Sequence, residues 1–253
     1  MEKTRTLLLL LLSALSVPAA AQSNFYLGLK GGVSIPRLSA GGNNPVSAGY
    51  TSISGPYFGG MAEWSFNKHW SWQVELNYTA EGGQKNGVQA LPSADFASYL
   101  PQGYIPPPYF YANFYSKARL NYLELPVLAK YKVSIAPRVR FFVDVGPYVG
   151  FLLGAKNITR DSSQIWADPQ ERQNLGVPAQ SFYGNESIDS AIHKINLGVQ
   201  GAVGIQLYLR HSGYIFLEVG GGYGFLNIQK YAADGRNTTG AATASVGYAI
   251  RIR

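Results

Sequence analysis

The chain predicts an all-β fold: a transmembrane antiparallel up-and-down β-barrel of eight strands, or ten if a long loop hides a hairpin. Three observations carry this. Eight short segments alternate polar and apolar side chains with a period of two, and a period of two sends the two sets to opposite faces of a strand. All 14 charged residues of those segments share one parity. The connections alternate between long and short, as in barrels with tight turns on one side of a membrane and long loops on the other.

The segment at 70–81 is the clearest: Trp70, Trp72, Val74, Leu76, Tyr78 and Ala80 alternate with Ser71, Gln73, Glu75, Asn77, Thr79 and Glu81. At 25–34, Leu27, Leu29 and Val33 oppose Lys30, and at 57–66 Phe58, Trp64 and Phe66 oppose Glu63. At 120–133, Leu123, Leu125, Val127 and Tyr131 oppose Glu124, Lys130 and Lys132; at 139–154, Phe141, Val143, Val145 and Phe151 oppose Arg140 and Asp144. The last three, at 194–210, 214–227 and 241–253, set Leu197, Val203 and Ile205 against Gln200 and Gln206, Leu217 and Val219 against Glu218, and Tyr248 and Ile250 against Ser245 and Arg251.

Parity alone does not orient the faces. The apolar face is continuous and ends in aromatic residues, while the polar face is rich in glycine, which favours polar-in and apolar-out. Aromatic side chains fall into two groups that suit interfacial girdles: Phe25, Phe66, Trp70, Tyr131 and Phe141 near the short turns, and Phe58, Tyr78, Tyr122, Phe151 and Phe225 near the long loops. Pro126 and Pro147 lie within strands and predict bulges, since proline cannot donate to the ladder.

Residues 1–21 read as a signal peptide. Lys3 and Arg5 precede an apolar run at 7–12, and Ala19-Ala20-Ala21 offers a cleavage site before Gln22. The barrel domain is then expected over 22–253. No cysteine follows, which excludes a lipoprotein anchor and disulfides. The net charge of +7 is spread singly along the strands, which argues against nucleic acid as a partner.

Eight strands leave a lumen just wide enough for side chains to fill. Lys30, Glu63, Glu75, Glu124, Lys130, Arg140, Asp144 and Glu218 are expected to pair there as an ionic network, because an isolated buried ion costs several kcal/mol. No catalytic, metal or cofactor motif is present: the three histidines are isolated, and Asp189, Ser190 and His193 supply hydrolase-like residue types without a motif. The segment 101–116 holds four Pro, four Tyr and two Phe with no charge. Its Tyr104, Tyr109, Phe110, Tyr111, Phe114 and Tyr115 form the candidate binding loop, because stiff backbone and flat rings make a low-entropy contact surface.

Three stretches resemble the PorT-like outer-membrane β-barrel proteins of Bacteroidetes: WSWQVELNYTAEGGQ at 70–84, LNYLELPVLAKYKV at 120–133 and VDVGPYVGFLLGAK at 143–156. The motif Asn121-Tyr122-Leu123-Glu124-Leu125-Pro126 is similar to that family's central strand, and Gly146-Pro147-Tyr148 to the strand after it. The resemblance implies a single-chain barrel in a Gram-negative outer membrane, in contact with lipid and lipopolysaccharide, and a family whose founding members are associated with protein secretion. Ser245, Gly247, Tyr248, Ile250 and Ile252 resemble the C-terminal signal read by the outer-membrane barrel assembly machinery, although Arg253 stands where many barrels end on an aromatic residue.

The preferred function is therefore non-enzymatic: a barrel with a filled lumen whose external loops bind an extracellular or secretion-system partner or cover the surface. A small-solute pore is the alternative. An outer-membrane hydrolase using His193 is the third reading.

Overall fold

The computed structural model describes residues 24–210 and 212–252. The signal-peptide segment, His211 and Arg253 lie outside the described residues. Eight long strands form the fold: β1 (Asn24–Ala40), β2 (Gly55–Ser65), β3 (Trp70–Pro92), β4 (Tyr109–Ala136), β5 (Val139–Arg160), β6 (Ile195–Leu209), β7 (Gly213–Gly224) and β8 (Asn237–Arg251). Each pairs antiparallel with its chain neighbours, and β8 pairs with β1, so the sheet closes on itself. Closure leaves no unpaired edge, which is what a strand needs in hydrocarbon.

Short hairpins at 66–69 and 137–138, with the adjoining ends of β6 and β7, lie at one end, and the long connections 41–54, 93–108, 161–194 and 225–236 lie at the other. The first hairpin turns because Asn67 Oδ1 accepts hydrogen bonds from the backbone N–H of His69 at 2.8 Å and of Trp70 at 2.9 Å. Among the described residues, no helix is long and apolar enough to cross a membrane.

The faces are oriented polar-in. Glu75 and Asp144 are each 2% exposed, whereas their strand neighbours Val74 and Val143 are 41% and 42% exposed. Leu29, Leu76, Val145, Leu153, Leu217 and Val246 extend this outward apolar wall around the ring.

Four expectations need correction. Tyr122 does not belong to a girdle: it points inward and is fully buried, as its parity with Glu124 requires. Pro126 and Pro147 do not mark bulges. The β4–β5 register shifts instead at Asn121/Tyr122 and Ser134/Ala136, while the pairing simply skips Val127 and Leu128 without changing register. That gap faces Pro147, while the gap at Pro126 lies on the other side of β4, where the β3–β4 pairing skips Leu125 and Pro126; each proline lacks an N–H donor, and no extra residue is inserted.

The expected loop between β3 and β4 is much shorter than the sequence indicates, because both strands run far beyond the membrane. Their ladder continues without a break from Ala80↔Asn121 to Pro92↔Tyr109. A tilted crossing needs about 10 residues, against 23 in β3 and 28 in β4. Finally, the extra hairpin elements do not enlarge the ring: Gly184–Ser187 adds to the outer part of β5, and Ser162–Ser163 pairs with Gln180–Ser181 above it. The ring has eight strands.

Candidate functional site

Two regions hold the residues singled out by sequence: the lumen and the arm that β3, β4 and β5 raise above the membrane. In the lumen, Lys30 on β1 bridges Glu75 on β3 and Glu218 on β7, at 2.8 and 2.7 Å. Asn77 Nδ2 donates to Glu75 at 2.7 Å, and Ser245 Oγ donates to Glu218 at 2.8 Å. A second layer lies nearer the short turns. There Glu63 accepts from Lys132, from Ser71 at 2.9 Å and from the Tyr214 hydroxyl. Lys130 lies between the layers, 3.4 Å from Asp144, 3.9 Å from Glu63 and 4.1 Å above the Phe142 ring.

Glu124 is buried but has no cation; it accepts from Thr79 Oγ1 at 3.0 Å. Arg140 stays outside the network. It sits half-buried at the turn end, its guanidinium 4.4 Å over the Tyr208 ring. Lys132 is a buried member of the network beyond the eight residues expected there; Glu81 also carries the inner parity and is buried, but forms no ion pair among the described residues. A gap of about 20 Å³, lined by Lys30, Glu75, Glu81, Glu124, Asp144 and Glu218 among others, remains inside the barrel. That is room for about one water. Below it, Tyr26, Met61, Phe142, Tyr214 and Phe216 pack as an apolar layer.

Of the six candidate loop residues, only Tyr104 lies in a loop. Tyr109, Phe110, Tyr111, Phe114 and Tyr115 belong to β4, where the even positions face inward. Phe110 and Phe114 are buried with Phe96, Ala112 and Ile165 in a separate core. Phe114 stacks on Phe182 at 4.2 Å, and Phe96 meets Phe110 edge-on at 5.8 Å. The backbones of Tyr111 and Trp166 exchange two hydrogen bonds, at 2.8 and 2.9 Å, which ties the 161–194 connection to the arm. At the tip, Tyr99, Tyr104 and Ile105 are exposed, Ile105 to 90%.

The C-terminal residues divide by face. Tyr248, Ile250 and Ile252 point outward, while Ser245 reaches Glu218 and Gly247 lies against the Phe216 ring. Asp189, Ser190 and His193 do not form a linked set. The Asp189 carboxylate accepts from Ala155 N–H at 2.5 Å and Ser187 Oγ at 2.8 Å, and these bonds hold its pKa below the ordinary range. Ser190 offers its carbonyl to Lys230, and His193 is exposed with no hydrogen bond to either residue. Among the described residues, no group of three or more His, Cys, Asp or Glu is poised to hold a metal ion.

Among solved structures, the chain is similar to Ail of Yersinia pestis in complex with sucrose octasulfate, at 11% identity and a TM-score of 0.39, covering 90% of this chain and 99% of that one. It is also similar to Neisserial surface protein A, at 12% identity and 0.39 over 90% and 99%, and to OprG of Pseudomonas aeruginosa, at 9% and 0.41 over 91% and 96%. No curated protein matches the chain. A family model described as an outer membrane protein beta-barrel domain matches residues 20–230. With a closed ring of eight strands, apolar outside and ionic inside, the chain belongs to this outer-membrane β-barrel family.

Proposed function

We propose that the protein is a PorT-like member of the family, exported by a cleaved signal peptide and inserted by the barrel assembly machinery through its last strand. It acts without catalysis. Its external arm engages a partner protein at the cell surface, on the secretion-linked side of the family's roles, and its lumen does not conduct.

The observation that carries this reading is the arm. A loop that merely capped the barrel would not need its own core, yet Phe96, Phe110, Phe114 and Ile165 are packed into one above the membrane. Such a core holds the exposed Tyr99, Tyr104 and Ile105 in a fixed arrangement, which lowers the entropy lost on binding. The motifs around Asn121 and Gly146 support the PorT-like assignment. Against a pore, the lumen has paired charges of both signs and a cavity of one-water size, whereas conduction needs a wetted path.

The test places a photo-crosslinking residue at Tyr104 in intact cells of the native host. The expected result is one dominant protein adduct, lost when the probe is moved to the buried position Phe110. Lipopolysaccharide adducts alone would overturn the reading. Discrete single-channel steps from refolded protein in a planar bilayer would reinstate the pore.

A further inference from the structure

Four cations crowd the outer rim of a single wall. Arg119 on β4 and Lys156 on β5 are direct ladder partners on the lipid-facing side, both exposed. Like charges placed opposite one another in a sheet destabilise it unless something negative lies between them. Beside Arg119 on its other flank stands Gly82, so no side chain from β3 covers it. Lys194 carries the inner parity in the sequence, but it lies just before β6 begins and is exposed beside the outward Ile195; Lys230 follows β7 and is also exposed. These two, with His193, Ile195, Leu226 and Asn227, line an open depression of about 550 Å³.

No carboxylate pairs with these cations. The five ion pairs among the described residues all lie inside the barrel and use only Lys30, Lys130 and Lys132. The Asp189 carboxylate, held by Ser187 Oγ and Ala155 N–H, interacts with Lys156 and Lys194 without forming an ion pair, and its single negative charge leaves the cluster net positive. Lys230 donates once, to the Ser190 carbonyl at 2.8 Å, which pins the ammonium in place and leaves two donors free.

Height decides what such a rim meets. Phe151, which pairs with Ile195, and Leu153 are exposed on the apolar wall, and the next outward side chain on β5 is Lys156. Ile195 and Leu226, which line the same depression as Lys194 and Lys230, are likewise exposed. Cations therefore begin where the hydrocarbon band stops, at the level of lipid headgroups in the outer leaflet. Clusters of Lys and Arg at that level attract anionic headgroups. An amphiphile with phosphates above and acyl chains below matches both halves of the surface.

From this juxtaposition we propose that the β4–β7 wall holds one lipopolysaccharide molecule, its phosphates between Arg119, Lys156, Lys194 and Lys230 and an acyl chain along Ile195 and Leu226. The site concerns the lipid-facing rim, not the arm, so its failure would leave the partner-binding reading standing.

The test uses the refolded mature protein in neutral detergent and fluorescent lipopolysaccharide, with folding checked by heat-modifiable gel migration. Binding is expected to weaken at least tenfold in the triple variant Lys156→Gln, Lys194→Gln, Lys230→Gln, and to persist in the matching Lys→Arg triple variant. Arg37→Gln, which removes an exposed cation of β1, should leave it unchanged. Enzymatically dephosphorylated lipopolysaccharide should bind at least tenfold more weakly. Binding by the Gln triple variant within twofold of the parent, or equal binding of the dephosphorylated lipid, would overturn the proposal. So would phosphatidylglycerol binding as tightly as lipopolysaccharide, or displacement by inorganic phosphate at comparable concentration.

Discussion

Lys30 Nζ lies 2.7 Å from Glu218 Oε1, and this contact joins β1 to β7 over the head of β8, between residues 188 positions apart. The same ammonium reaches Glu75 in the other direction, so one cation ties three non-adjacent strands across the lumen. Removing it leaves two carboxylates buried without their counter-ion.

Lys30→Met should therefore destabilise the barrel by about 3–5 kcal/mol, the usual cost of breaking a buried pair from one side. The measurement is the urea midpoint of the protein folded into lipid vesicles. Adding Glu218→Gln to Lys30→Met should recover part of the loss, because one of the two stranded charges is then gone. A midpoint unchanged by Lys30→Met would mean that the lumen is wet enough to solvate both acids.

Gly247 has two roles to separate. By sequence it belongs to the signal for assisted assembly, but a Cβ at this position would meet the Phe216 ring and the Leu29 carbonyl. Gly247→Ala should cost about 1–3 kcal/mol from overpacking alone. The loss is expected in unassisted refolding into vesicles, where no assembly machinery is present. A defect seen only in cells would assign the glycine to recognition instead.

Much of the ring was legible because a period of two is a local property, and lipid on one side keeps it visible in hydropathy. Above the membrane that contrast fades. At 84–87, Gln84, Lys85, Asn86 and Gly87 carry no apolar alternation, yet they pair with residues 114–117 in strict register. The inward parity of β4 nevertheless runs unbroken from Phe110 through Phe114, Leu120 and Tyr122 to Lys132, a signal obscured by the neighbouring prolines at 106–108. Within the lumen, parity selected the right face but not the partners. Whether Lys30 meets Glu75 or Glu63 depends on the stagger between strands, which the long connections do not encode. Arg140 shares the inner parity and still stays apart, because it lies beside Tyr208 at the rim.

The arm should melt separately from the barrel. Phe110 is fully buried in a core that shares no residue with the clusters inside the ring. Phe110→Ala should remove about 3–5 kcal/mol from that core. Limited proteolysis should then cut within 93–108 at least tenfold faster, while the remaining barrel keeps its heat-modifiable migration. Loss of that migration would show that the arm and ring fold as one unit.

Lys85 offers a pH-dependent handle outside the membrane. It sits on the arm's part of β3, turned inward, with its ammonium 4.3 Å over the Tyr50 ring and bonded to the Val46 carbonyl. Burial outweighs these contacts and lowers its pKa to about 8 from the ordinary 10.5, while burial raises the Tyr50 hydroxyl to about 12. The sign follows from proton counting: between about pH 8 and 10.5 the unfolded segment binds the extra proton, so folding gains stability as pH rises through that window. Below about pH 8 the full penalty of a buried charge is present. Nitrogen-15 NMR of labelled lysines, assigned through Lys85→Arg, should show one resonance titrating with a midpoint near 8. In a Lys85→Met variant, stability should no longer rise over the same interval. A Lys85 midpoint at the ordinary lysine value would mean that the 41–54 connection does not close over it in solution.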